Sequence, residues 1–394
     1  MDPKEIKKDF PLFQKENTDL AYLDNAATTQ KPEKVIKRIQ NFYNEENSNI
    51  GRGIYDLANK ATSSYQESRR TVADFINADK NEIIFVRNTT EAINLVASSL
   101  NIEGDIVIPE MEHHSNQLPW REQGNRIRYI PTTENLEIDL DKAEEIISEE
   151  TGLVTVSHSS NIFGASNPVE ELIRLAREND AYILVDAAQT APRRSIDVKK
   201  MDVDFMTFSG HKMLGPTGIG VLYGKKDLLE DMSPYQLGGG MINRVSKDNV
   251  EWAVVPEKFE AGTPDVAGAV GLASAIEYLE DIGLEEIQKH EYKLCSLIRE
   301  RLEEIEGVNV LAPEDRKVSV VSFVCDFAHP HDIAEILNQE NVAVRAGHHC
   351  AQPQMQKLNS NGTVRASPYI YNTEEDVEQL VKAVEKAKKV FYTG

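Results

Sequence analysis

The chain has 394 residues, with 43 Lys and Arg against 65 Asp and Glu, giving a formal charge of −22; nothing like a basic stripe offsets that acidity, which argues against a nucleic-acid binder. At 40% hydrophobic and 27% charged residues it reads as a soluble globular protein of two or three domains. No apolar run nears the ~20 residues of a membrane span, the start MDPKEIKKDFPLF lacks a secretory core, and three cysteines are too few for a disulfide framework, so a reducing cytoplasmic setting is expected.

Short β-rich runs alternate with amphipathic stretches, without an internal repeat. Residues 83–87 (IIFVR) read as a strand, with a helix over 90–100 on its heels. Strands follow at 106–109, 126–131 and 152–158, then a helix over 169–178 placed directly after Pro168. Further strands read at 181–189, 204–209 and 218–224. Strands separated by helices predict βαβ units and a mostly parallel sheet. From about residue 264 the texture changes to two long helices (266–281, 285–305) and an apolar strand over 318–327. A helix, a short strand (342–345), a loop, a strand (363–367) and a terminal helix (374–390) complete the chain. The expected organisation is an arm over 1–18, a large α/β domain over 19–263, and a smaller α+β domain over 264–394.

Lys212 in Ser209-Gly210-His211-Lys212 follows an apolar strand and precedes a Gly-rich turn, at the sheet edge where α/β proteins bind ligands. Alone it would pass for a solvated loop lysine. Asp186 closes a second strand, LVDAAQ, and a Lys with an acid at neighbouring strand ends suits pyridoxal phosphate. The Lys bonds the cofactor's aldehyde and the Asp keeps the pyridine nitrogen protonated. Gln189 is placed to reach the ring hydroxyl. Asn88-Thr89-Thr90 ends a strand and opens a helix, as a phosphate cradle would, although a plain N-cap uses the same residues. His113, just past the strand at 106–109, could stack on a flat ring.

These pieces stand in one order along the chain: YLDNAATTQKP (22–32), FVRNTTEAINLV (85–96), EHHSNQLPW (112–120), SSNIFG (159–164), VDAAQ (185–189), SGHKMLGPTGIGVLYG (209–224), GGGMI (238–242), FEAGTPD (259–265), RAGHHCAQP (345–353) and VRAS (364–367). The series resembles the Suf-type cysteine desulfurases, class V members of the fold-type I pyridoxal-phosphate enzymes, over nearly the whole chain. The resemblance implies the fold of that group, a large domain with a mostly parallel sheet plus a smaller C-terminal α+β domain. Carried over, it makes Lys212 the cofactor-linked lysine and proton shuttle, with Asp186 on the pyridinium, Gln189 on the ring hydroxyl, and His113 stacking and serving in acid-base chemistry. Thr89, Thr90, Ser209 and His211 would bind the phosphate. Thr263 would reach the partner subunit's phosphate in a homodimer. Arg365 and Asn161, with Arg345 nearby, would hold the substrate carboxylate, for which the arginine fork is suited. Gly51, where a His is expected, and Pro368 after the RAS motif depart from the pattern.

Cys350 directs the reaction. Cys295 and Cys325 fall in apolar runs, whereas Cys350 lies in the polar loop GHHCAQPQ, where His348 and His349 would favour the thiolate. The implied activity converts L-cysteine to L-alanine and leaves a Cys350 persulfide for iron-sulfur cluster assembly. Selenocysteine lyase activity would use the same machinery, while an aminotransferase would not need Cys350. A non-catalytic sulfur-carrier or metal-binding scaffold would not need Lys212, Asp186 and Arg365 together. No metal site is expected, since three consecutive residues rarely converge on one ion and no Cys-x-x-Cys occurs. The expected partner is a sulfur acceptor of the Suf system, with His331 as the contact to a zinc-binding carrier. A helix N-capped by Asp332 explains the HPHD stretch equally well.

Overall fold

The apolar strands of the first part assemble into a seven-stranded sheet in the order Ile83–Val86, Gly220–Gly224, Phe205–Ser209, Tyr182–Asp186, Thr151–Ser157, Asp105–Pro109, Ile127–Ile130. From Phe205–Ser209 outward to Ile127–Ile130 every pair is parallel. Gly220–Gly224 runs antiparallel to both its neighbours, so the sheet is mostly parallel, as expected. The central strands are buried at every residue but Tyr182, which is why they read as continuous apolar runs. The computed structural model describes residues 1–15, 19–51, 53–313 and 319–392. Residues 16–18 of the expected arm, Arg52 of NIGRGIYD, Val318 of the expected 318–327 strand and the last two residues lie outside the described residues.

A second sheet, antiparallel throughout, orders Val308–Leu311, Val321–Cys325, Thr363–Ala366 and Arg345–Gly347. It buries Phe323 and Val364 against helices Leu284–Glu303, Pro330–Gln339 and Glu374–Tyr392 in a core of its own. Two details correct the sequence reading. The expected strand 342–345 splits: Val342–Ala343 pairs in parallel with Ala21–Tyr22, while Arg345–Gly347 joins the second sheet. The break expected near residue 264 also falls inside one core, because helix Val266–Ile282 is apolar nearly all round and packs with the large sheet's core. Conversely, Ala21 and Leu23 belong to the second core.

Helices Glu33–Asn41 and Asp56–Phe75 carry no expectation from sequence, being polar with a thin apolar stripe such as Ala58, Ala61, Tyr65 and Val72. They nonetheless pack on Val266–Ile282. Within this packing Arg69, 1% exposed, donates to Ile83 O at 2.7 Å and to both oxygens of Glu260 at 2.8 and 2.7 Å. Glu260 also accepts from the Tyr65 hydroxyl and the Phe85 N–H, so one carboxylate joins a helix, an edge strand and the loop before Thr263. Glu260→Ala leaves the Arg69 charge buried without its partner and is expected to cost about 3–5 kcal/mol. Urea unfolding checks this; a loss below about 1 kcal/mol would mean that water replaces the carboxylate.

Candidate active site

The carboxyl ends of the parallel strands meet the helix Thr89–Ser99 at one edge of the sheet, above a cavity of about 600 Å³. Every site residue expected from sequence except Thr263 lines it. The helix is capped by Asn88, whose side chain accepts from the Glu91 N–H at 3.0 Å. Thr89 and Thr90 are thus not needed as caps. The Ser209 hydroxyl lies 3.0 Å from Thr89 Oγ1 and accepts from the Thr89 N–H, while Thr90 Oγ1 meets Ser115 Oγ at 2.7 Å. The cradle sits close on the sheet because of Gly220, where a Cβ would come within 2.7 Å of Asn88 Cα.

Past Ser209 the chain tightens into one helical turn, Gly210–Lys212, closed by the Met213 and Gly215 N–H groups on Gly210 O. The first motif of the chain explains itself here. Thr29 N–H, the Thr28 hydroxyl and Lys31 Nζ all donate to the carbonyl of His211. The turn is thereby anchored and Lys212 aimed into the cavity. Among the described residues no hydrogen bond reaches Lys212 Nζ; burial pulls its pKa down to about 8, with the Asp186 charge opposing. Asp186, 6% exposed, accepts from Ala188 N–H through Oδ1 alone among the described residues, and burial raises its pKa.

Gln189, assigned to the ring hydroxyl, holds Ala26 O through Nε2 at 2.9 Å and accepts from Arg193 through Oε1 at 3.2 Å. Only one amide hydrogen is left for a ligand. Arg193 is in turn paired with buried Glu291 at 2.8 Å. His113 accepts the Ser115 N–H at Nδ1 (3.1 Å), which places the proton of the neutral ring on Nε2. Burial, then the charges of Lys212, His114 and Arg365, pull its pKa to about 3. A neutral, half-buried imidazole facing the cavity suits stacking on a flat ring.

Across the cavity Arg365, 3% exposed, donates through Nη1 to Asn161 O at 2.8 Å. Its Nε has no partner among the described residues, and burial lowers its pKa to about 10. Asp24, which sequence reasoning did not single out, pairs with Arg345 through both oxygens (3.2 and 3.0 Å) and reaches Arg365 at 3.5 Å. Asn161, expected at a substrate carboxylate, lines the cavity with one amide hydrogen left for a ligand. It gives Nδ2 to His349 O at 2.7 Å and its backbone carbonyl to Arg365, tying the arginine to the cysteine loop.

Cys350 is exposed at the cavity, and it and His349 both take left-handed backbone (φ 58° and 50°). Such conformations cost on the order of 1–3 kcal/mol each and persist only where surroundings dictate them. His349 turns inward, its Nε2 2.8 Å from Thr363 Oγ1, and burial drops its pKa to about 3. The expected help of His349 to a thiolate therefore fails, because a neutral ring supplies no charge. Cys295 is buried, as expected; Cys325 is half-buried at a strand end rather than enclosed, with burial pushing its pKa up to about 12. Neither lines the cavity. Thr263 lies exposed in a separate groove with Phe85, Arg87 and Tyr235. The HPHD helix is capped by His329, whose Nδ1 accepts the His331 N–H, and not by Asp332.

A half-buried amine without a hydrogen-bond partner among the described residues, a buried carboxylate with a free oxygen at the neighbouring strand end, a neutral imidazole and a hydroxyl-lined helix start fit pyridoxal phosphate. Fold and site together define a pyridoxal-phosphate enzyme. The family model for class-V aminotransferases matches residues 21–380, and the chain belongs to that family. It is 48% identical to a probable cysteine desulfurase of Halalkalibacterium halodurans over 99% of both chains. It is 47% identical to one of Staphylococcus epidermidis over 99% of this chain and 98% of that one. Among solved structures it resembles the apo cysteine desulfurase of Thermococcus onnurineus NA1 (TM-score 0.94, 42% identity, 98% of both chains). It also resembles the Escherichia coli cysteine desulfurase CsdA in its S-sulfonic acid form (TM-score 0.92, 35% identity, 99% of both chains).

Proposed function

We propose that the chain is a cysteine desulfurase that releases L-alanine from L-cysteine and keeps the sulfur as a persulfide on Cys350. The observation that carries this reading is the position of Cys350, an exposed thiol on a strained loop at the same cavity as Lys212 and Arg365. Bound in that cavity, pyridoxal phosphate supplies an aldehyde for the substrate amine and a ring that takes up the electron pair left at Cα. The protein's own groups do the rest. Asp186 holds a proton on the ring nitrogen, and His113 covers the ring. Lys212 moves the proton at the substrate Cα, its lowered pKa making the free amine accessible near neutral pH. Cys350 Sγ bonds the substrate sulfur as the C–S bond breaks and Cβ gains a proton, so that cysteine and thiol become alanine and persulfide. Anaerobic incubation with L-cysteine, with alanine quantified and one extra sulfur sought by intact mass, tests both products at once. Alanine without added mass would sink the persulfide.

Arg365 receives the substrate carboxylate, with Arg345 behind it on the Asp24 tether. Arg365→Lys keeps the charge but loses the fork, and kcat/KM for L-cysteine is expected to fall roughly ten- to hundredfold, about 1.5–3 kcal/mol. Steady-state kinetics checks it; a change under about threefold moves the carboxylate to Arg345. A homodimer is supported by Thr263, which lies outside its own chain's cavity and as a phosphate ligand would serve the partner's. Exposed His331 supports a docking place for a sulfur acceptor. Among the described residues no helix is long and apolar enough to cross a membrane, and a cytoplasmic setting is part of the proposal.

A further inference from the structure

We propose that His114 is a positioning residue that clamps the Cys350 loop against the cavity at the thiol residue and again two residues beyond it. The proposal rests on the reading of Cys350 as the sulfur acceptor. His114 opens the short turn His114–Asn116, directly after the ring-stacking His113. Its backbone N–H donates to Cys350 O at 2.8 Å, and its ring Nε2 accepts the Gln352 N–H at 3.2 Å. One residue of the large sheet thus grips the loop immediately at the thiol and again two residues on. Gln352 begins the helix Gln352–Lys357, so its N–H has no intrahelical acceptor and would otherwise be left to solvent.

The grip matters because of the backbone it restrains. His349 and Cys350 stand at φ 50° and 58°, which non-glycine residues leave when nothing opposes it. Asn161 on His349 O and Thr363 on the His349 ring tie the loop upstream of the thiol, the Ala351 N–H bonds His348 O across it, and Ala351 and Met355 are buried in the core beyond it. Among the described residues, the hydrogen bonds from outside the loop to Cys350 O and the Gln352 N–H both come from His114. To accept at Nε2 the ring must be neutral with its proton on Nδ1. The charged and titratable groups around it are Arg121 and His348, with the His113 ring 6.4 Å away; burial and the first two hold its pKa below the ordinary histidine value, which keeps the acceptor available at neutral pH. The loop thiol must meet a substrate sulfur fixed by Lys212 and Arg365, and a displacement of about 1 Å in such a reacting pair costs on the order of 10²-fold.

The test uses the holoenzyme. His114→Ala is expected to lower kcat on the order of 10- to 100-fold with KM for L-cysteine within about twofold, since Lys212 and Arg365 capture the substrate and His114 bonds neither of them. His114→Gln, whose amide oxygen can accept the Gln352 N–H, is expected to recover most of that loss. Hydrogen exchange of the 348–355 peptide should show the Gln352 amide protected in wild type and unprotected in His114→Ala. The proposal is overturned if His114→Ala keeps kcat within about twofold, or if a folded His114→Gln is as slow as the alanine variant. Should His114→Ala not fold, an unprotected Gln352 amide in wild type overturns it as well. Exchange reads the loop whatever the sulfur chemistry, so failure of the clamp and failure of Cys350 as acceptor are told apart.

Discussion

Cys350→Ser is expected to bind L-cysteine yet release alanine more than about 10³-fold more slowly than wild type. Substrate capture draws on Lys212, Asp186 and Arg365, none of which contacts the thiol through a hydrogen bond among the described residues. The break of the C–S bond, in contrast, needs an acceptor for sulfur, and a serine hydroxyl is a poor one. The intact mass after incubation with L-cysteine should show no added sulfur. Cys325→Ser serves as the comparison. Its thiol is half-buried with a pKa pushed to about 12 and stands away from the cavity, so its loss should leave alanine production within about twofold of wild type. The opposite pattern, with desulfuration surviving in Cys350→Ser and lost in Cys325→Ser, would assign the reaction to the other thiol.

Lys212→Ala is expected to abolish both the covalent hold on the cofactor and the proton transfer at Cα, lowering turnover by more than about 10³-fold. Pyridoxal phosphate should still associate through Asp186 and the Thr89 and Ser209 hydroxyls, but a borohydride-reduced digest should carry no pyridoxyl group at position 212. The same digest of wild type should carry it there; a label on another lysine would refute the assignment. With its pKa near 8 instead of 10.5, Lys212 has on the order of 10²-fold more free amine at pH 7 than a solvated lysine. Because the free amine is the reactive form, loading of stripped wild-type enzyme should speed up as pH rises through about 8 and then level off.

The large sheet was legible because its strands are buried on both faces and separated by amphipathic helices, so pattern and topology agree. Helix Asp56–Phe75 was not, since three alanines, a serine and an ion-paired arginine make up much of its buried face. The two-residue strand Ala21–Tyr22 is too short for any periodicity, and only its partner at Val342–Ala343 defines it. In the site, residues whose chemistry is distinctive could be named from sequence: a lysine and an aspartate at strand ends, an arginine near a C-terminal strand, a cysteine in a polar loop. What escaped were residues that act through others. Asp24 pairs two arginines more than 320 positions away, His114 holds a loop it is remote from in sequence, and His349 turns inward and neutral beside an exposed cysteine. Each depends on a tertiary contact that no local pattern encodes.

The placing of Asp24 between Arg345 and Arg365, with its backbone bridged to Ser367, has a consequence for how the enzyme is made. A ribosome delivers residues 21–24 well before the strand and the arginines that receive them. During synthesis that opening segment waits without its partner while the large sheet can already form. The substrate pocket therefore closes only after Arg365 has emerged, and a product terminated before it could keep the lysine turn and the phosphate cradle while having no place for a carboxylate.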